Sequence, residues 1–168
     1  MAKIPLTPRG QQTLRDELKR LREVERPKNV LDIEEARAHG DLRENAEFAA
    51  AKERQGFIEG RSREIESILA QAEIIDPARL SGSKVVFGAT VRLTDVDSGD
   101  EVTYTIVGDY EADIKDGRIA VSAPLARAMI GREAGESVTL KTGKGTREYA
   151  ISEVRFEAVT VEVSRQGG

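Results

Sequence analysis

Glu35-Ala36-Arg37-Ala38-His39-Gly40-Asp41-Leu42-Arg43-Glu44-Asn45-Ala46-Glu47-Phe48 joins two long helical patterns. Gly40 stands where a helix end favours a residue that enters the left-handed region at no cost. Asp41 and Glu44 follow at the turn, where the next helix starts. A short turn between two helices of similar length folds one back along the other, so this stretch predicts an antiparallel coiled-coil hairpin. About 30 residues per arm, at ~1.5 Å per residue, make a rod of about 45 Å. Two carboxylates at the tip of such a rod are placed to act on something outside the chain.

Upstream, Thr7-Pro8 is a helix start, with Thr to cap the free N–H groups and Pro suited to the first turn. Leu14, Leu18 and Leu21 recur at four- and three-residue spacing, and Val30 and Ile33 are expected to resume the stripe. Pro27 interrupts it; an interior proline costs about 3 kcal/mol and predicts a kink. Downstream, Ile58, Ile65 and Ala72 are seven apart, with Ile68 and Ile75 completing an a/d-like stripe. Ala46, Ala49, Ala50 and Ala51 cluster near the tip, where small side chains let helices approach.

At Asp76-Pro77 the texture changes. Phe87, Ala89, Val91 and Leu93 alternate with more polar positions, as do Val102, Tyr104 and Ile106, with Asp97-Ser98-Gly99-Asp100 as the turn between them. Val138 and Leu140 lead into Thr142-Gly143-Lys144-Gly145, and Tyr149 and Ile151 follow, a second hairpin. Pro124 to Ile130 is a short helix stopped by Gly131. The expected fold class is α+β in two domains: residues 1–76 a hairpin with an acidic tip, residues 77–168 an antiparallel sheet with one short helix and a short C-terminal tail.

Composition narrows the chemistry. The 168 residues contain no cysteine and one histidine, which removes disulfides and thiolate chemistry and leaves little for zinc sites or Ser-His-Asp triads. Net charge is −4 and neither half is basic, so nothing here grips a nucleic-acid backbone by charge alone. No apolar run spans a bilayer and the N-terminus lacks an apolar signal core, so a cytoplasmic protein without a membrane partner is expected.

On spacing alone, Asp41 and Glu44 are ordinary N-terminal helix acids, complementing the dipole and capping free N–H groups. The other reading is a divalent-cation role. Mg²⁺ is held by one or two carboxylates with water and phosphate, so two acids form part of a site that a partner completes. Arg37, Arg43, Lys52 and Arg54 flank the tip as a solvated surface with i, i+4 pairs or as a small RNA-facing patch. His39 suits a helix C-terminus. Gly143-Lys144-Gly145-Thr146 lacks the spacing of a phosphate loop and is a hairpin turn.

Ala36 to Glu47 strongly resembles the tip motif of bacterial transcript-cleavage factors of the GreA/GreB family. The likeness extends to Ile4-Pro5-Leu6-Thr7, Arg9-Gly10, Gln55-Gly56-Phe57, Val86-Phe87-Gly88-Ala89-Thr90-Val91, Ile106-Val107-Gly108, Glu111-Ala112-Asp113 and Pro124-Leu125-Ala126-Arg127, nearly the whole chain. The resemblance implies a coiled-coil hairpin and an FKBP-like C-terminal domain. It implies a monomeric, non-enzymatic elongation factor that enters the secondary channel of RNA polymerase. There the factor stimulates the polymerase's own cleavage of the nascent RNA 3′ end in backtracked complexes. It assigns Asp41 and Glu44 to a shared Mg²⁺, bound only in the complex. It places Arg37, Lys52, Asn45 and Phe48 at the RNA and tip, and Ser122, Pro124 and Leu125 at the polymerase. Three departures stand out: Phe48-Ala49 replaces an aromatic-His pair, Ala123 replaces a Ser, and residues 159–168 run past many family chains. A Gre-like inhibitor that blocks the channel is the alternative. Prolyl isomerase chemistry is disfavoured, because Phe87, Tyr104, Tyr110, Tyr149 and Phe156 are scattered rather than gathered in a pocket pattern.

Overall fold

The computed structural model describes residues 3–40 and 45–157. Among these, residues 12–72 form one compact unit, and residues 3–11 together with 73–157 form the other. This differs from a division after residue 76: the first residues join the sheet-bearing unit.

The first arm runs as α1 (Pro8–Arg20), one π-helical turn (Leu21–Glu25) and α2 (Arg26–Ala38), without a break. Pro27 favours the turn. Proline has no N–H for the carbonyl four residues back, and its ring crowds that carbonyl. The helix widens ahead of it, and the Arg26 N–H donates to Leu21 O, five residues back. The expected kink is thus a π turn, which inserts one residue into the helical repeat.

That insertion resets the stripe. Continued in α-helical register, Leu14, Leu18 and Leu21 would be followed inward by positions 25, 28, 32 and 35, which are Glu25, Lys28, Asp32 and Glu35. With one residue inserted the inward positions become 26, 29, 33 and 36. Asn29, Ile33 and Ala36 are indeed the buried residues of α2. Val30, expected inside, is 46% exposed. The sequence pattern assumed an unbroken period; the extra residue rotates everything after it.

The second arm is α3 (Ala46–Gln71), burying Ala51, Ile58, Ser62, Ile65 and Ile68. The contacts of Glu17 with Arg61, Glu25 with Arg54 and Asn29 with Ala51 run in reverse order, so the hairpin is antiparallel. Arg61 forks onto Glu17 at 2.5 and 2.8 Å, and Arg54 reaches Glu25 at 3.1 Å. Nearer the turn, the Asn29 amide donates to Ala51 O at 2.9 Å. Arg26 grips Glu59 through two bonds of 2.7 and 3.0 Å, and Arg22 pairs with Glu66. These guanidinium groups hold the carboxyls of Glu17, Glu25 and Glu59 below the usual carboxylate range.

The α3 stripe stops earlier than its heptads suggest. Residues 72–74 leave the helix as β2 (Ala72–Ile74), which pairs with β1 (Ile4–Leu6). The Ile75 N–H donates to Leu6 O at 2.8 Å. Ala72 and Ile75 are therefore not helical seam positions; strand pairing and the approach to Pro77 override the repeat.

The sheet of the other unit has strand order β5-β4-β3-β7-β6. Its strands are β3 (Thr90–Asp95), β4 (Glu101–Val107), β5 (Arg118–Ala120), β6 (Ser137–Thr142) and β7 (Gly145–Arg155). The two expected hairpins are present, β3–β4 and β6–β7, the latter closed by Gly143-Lys144 between paired Thr142 and Gly145. The sheet is mixed rather than wholly antiparallel, because β5 pairs parallel with β4. The short helix α4 (Pro124–Met129) buries Ala126 and Met129 against Val91, Leu93, Ile106 and Ile151.

Glu111 ties the N-terminus to this unit. Its carboxylate accepts the backbone N–H groups of Thr7 and Gly108, both at 2.9 Å, and also the Thr7 hydroxyl. That hydroxyl in turn accepts the Gly10 N–H at 3.1 Å, capping α1. The approach is too close for side chains. A Cβ on Gly108 would lie 2.3 Å from Pro5 O, and one on Gly10 would lie 2.3 Å from the Glu111 carboxylate.

Deleting Val24 together with Pro27→Ala removes the inserted residue while keeping positions 26, 29, 33 and 36 inward. The melting temperature should hold or rise, whereas Pro27→Ala alone should leave the π turn in place, since an α-helical register would turn four charged residues inward. Because Glu17, Glu25 and Glu59 carry depressed pKa values, their stabilisation is full above the unfolded-chain values and lost as pH falls through the lower folded ones. Thermal melts of the full chain should therefore weaken below the ordinary carboxylate range. Gly108→Ala has to displace backbone rather than a side-chain end, and a loss of about 1–3 kcal/mol is expected in urea unfolding.

Candidate functional site

The hairpin turn is built from two helix ends of opposite polarity. At the end of α2, the His39 N–H reaches Ala36 O at 3.2 Å and the Gly40 N–H reaches Arg37 O at 3.4 Å. Gly40 has φ 106°, the left-handed geometry for which glycine was expected here. At the start of α3, Asn45 is the N-cap, and its Oδ1 accepts the Phe48 N–H at 3.0 Å. The same side chain donates from Nδ2 to Ala36 O at 2.7 Å, across the turn.

Arg37 lies with its guanidinium carbon 5.9 Å from the centroid of the Phe48 ring, a cation–π placement that joins the two helices beside the Asn45 link. Lys52 is exposed and reaches Gln55 Oε1 at 2.7 Å. His39 Nε2 stands 4.0 Å from Glu47 Oε2, both well exposed. Arg37 and Lys52 are thus solvent-facing cations on opposite arms. Phe48 is half-buried, and Asn45 is engaged within the tip. Asp41 and Glu44 lie outside the described residues. Among the described residues no group of three His, Asp or Glu side chains is gathered to hold a metal ion. Two acids do suit a metal site shared with a partner that supplies the remaining donors.

The second expected surface lies in the sheet-bearing unit. Ser122 and Pro124 are exposed, while Leu125 is half-buried and packs on the core. Ser122 Oγ donates to Asp109 Oδ1 at 2.7 Å, and its N–H reaches the same oxygen at 3.2 Å. Ala123 occupies the N-cap of α4 with no side-chain acceptor, so the Ser-to-Ala departure removes a cap as well as a hydroxyl. Asp109 belongs to the loop between β4 and β5, which also exposes Tyr110 (51%) and Ile114 (59%). Sequence reasoning did not single out these two as surface residues. The signal was present in their placement between Gly108 and Gly117, a segment too polar and glycine-rich to be core.

Two other residues escaped the sequence reading. Asn29 is 4% exposed and spans the seam to Ala51 O, and only the reset register puts it there. Glu111 has no role visible in the sequence pattern; two bonds from Thr7 and one from Gly108 make it the anchor of the N-terminal segment.

Family comparison covers residues 4–156 apart from 75–79. Residues 4–74 match the family described as "Transcription elongation factor, N-terminal", and residues 80–156 match "Transcription elongation factor, GreA/GreB, C-term". The transcription elongation factor GreA of Alkalilimnicola ehrlichii is 57% identical over 157 residues, covering 93% of this chain and 99% of that protein. GreA of an Anaeromyxobacter strain is 54% identical over 156 residues, covering 93% and 94%. Among solved structures, the GreA factor homolog Gfh1 of Thermus thermophilus is 28% identical with a TM-score of 0.41, covering 91% of this chain and 99% of that one.

Proposed function

The chain belongs to the GreA/GreB family of transcription elongation factors, and from that premise we propose that it enters the secondary channel of RNA polymerase and stimulates transcript cleavage. The substrate is the nascent RNA 3′ end of a backtracked complex, and the polymerase's own active centre breaks the bond. The sheet-bearing unit docks through the surface around Ser122, Pro124 and Leu125, and the hairpin supplies reach.

The observation that carries this reading is the build of the turn. A two-helix rod ends in a turn closed by Asn45, with Arg37 and Lys52 exposed on either arm. The sequence sets Asp41 and Glu44 between the two helix ends. Two carboxylates at that place add negative charge where a weakly held second Mg²⁺ of the polymerase must sit. When bound, that ion stabilises charge on the oxygens of an in-line displacement. Raising its occupancy tenfold needs only about 1.4 kcal/mol, well within the reach of two anions. Asp41 and Glu44 also accept hydrogen bonds from an attacking water and orient it. Arg37 and Lys52 hold the RNA phosphates nearby, and the factor contributes no cleavage alone.

The test is a stalled, backtracked complex of cognate polymerase with Mg²⁺. Addition of the protein should release short 3′ RNA fragments. Asp41→Ala and Glu44→Ala should abolish release while binding to the polymerase persists. Wild-type cleavage by both variants would remove the metal role. A wild-type protein that only slows elongation would instead mark a channel inhibitor.

A further inference from the structure

We infer that Asp109 is a positioning residue of the docking surface, holding the chain at Ser122 in one arrangement without itself touching the polymerase. This role rests on the proposed docking of Ser122, Pro124 and Leu125, and deepens it. Two bonds run from one residue to one oxygen. Ser122 Oγ donates to Asp109 Oδ1 at 2.7 Å, and the Ser122 N–H donates to the same oxygen at 3.2 Å. Both residues are exposed. They stand 13 positions apart in the chain, so the bonds tie two separate loops rather than close a local turn.

The connection from β5 to α4 has one joint that its own residues leave loose. On one side, the Val121 N–H is fixed on Val107 O at 2.8 Å. On the other, Pro124 sets its own φ, and a residue before proline is confined to extended backbone. Ala123 obeys, at φ −63° and ψ 145°, and caps α4 with no side-chain acceptor. Ser122 lies between, and Asp109 is the one acceptor for its N–H among the described residues. Asp109 itself is well placed to hold it. It follows Gly108 in a turn that Glu111 closes twice: the Glu111 carboxylate takes the Gly108 N–H at 2.9 Å, and the Glu111 N–H reaches Gly108 O at 3.1 Å. A binding surface populated for only part of the time loses apparent affinity by that fraction. Bonds that keep Ser122 to Pro124 in the docking arrangement therefore raise affinity without adding a contact.

Binding of the full-length protein to cognate polymerase, read beside cleavage at saturating factor, separates positioning from contact. Asp109→Ala removes the acceptor. Its Kd should rise roughly three- to tenfold, the equilibrium weight of one net hydrogen bond, and hydrogen exchange at the Ser122 N–H should quicken. Its cleavage plateau and melting temperature should stay at wild-type values. Asp109→Asn keeps an acceptor oxygen without the charge and should bind and exchange as wild type. Unchanged affinity or unchanged exchange in Asp109→Ala overturns the inference, and so does a lowered plateau. Equal weakening by Asp109→Asn also overturns it, because the carboxylate would then meet the polymerase directly. A marked fall in the melting temperature of Asp109→Ala does the same, by making the tie purely structural. Pro124→Arg, a bulky cation on the exposed start of α4, keeps the outcomes apart: if it binds poorly while Asp109→Ala behaves as wild type, only the positioning role fails. If Pro124→Arg binds as wild type, the docking surface itself fails first.

Discussion

One inserted residue, in the π turn ahead of Pro27, decides how the hairpin closes. Without it, the seam that begins with Leu14, Leu18 and Leu21 would continue through two glutamates, a lysine and an aspartate. Removing those charges from water costs on the order of several kcal/mol per ion. The π turn at Leu21–Glu25 exchanges them for Asn29, Ile33 and Ala36. The displaced Glu25 then becomes useful, pairing with Arg54 of the opposite arm. Pro27 favours the insertion at one point, and burial of Asn29, Ile33 and Ala36 in place of four charges holds the register between it and the tip.

The tip inherits that register. Ala36 faces inward because of the insertion, and its carbonyl is the group that the Asn45 amide seeks across the turn. A slip of one residue would present a different carbonyl to that amide and a different side chain to Phe48. Arg37 in turn stands over Phe48 because it follows Ala36 on the same helix end. The N-terminal strand is governed by another local constraint. Two glycines permit contact, and one carboxylate satisfies three donors that would otherwise compete for water. Such a clamp depends on all its members, since each unsatisfied buried donor costs about 1–3 kcal/mol.

Much of this was legible in the chain. Gly40, the heptads of Ile58 and Ile65, the turn residues at 97–100 and 143–144, and the helix between Pro124 and Gly131 all announce themselves through local chemistry. What escaped was non-local. Val30 looked like a seam residue because a sequence pattern carries no record of an inserted backbone turn. Ala72 and Ile75 continued a heptad until pairing with β1 took residues 72–74 into a strand. The parallel β4–β5 pair was hidden because β5 has three residues and returns through a loop.

Local chemistry along the chain specifies the two textures, the reversal at Gly40, the acidic pair and the family. Each of these rests on residues close together in the chain, where spacing and intrinsic conformational preference suffice. The tertiary structure alone decided which face of α2 is inside, that Asn45 ties two helices as well as capping one, and that the first residues are held by Glu111. Those outcomes depend on hydrogen-bond partners 9 to 104 residues apart. A donor and acceptor that distant carry no pattern in the chain, because only packing brings them within reach.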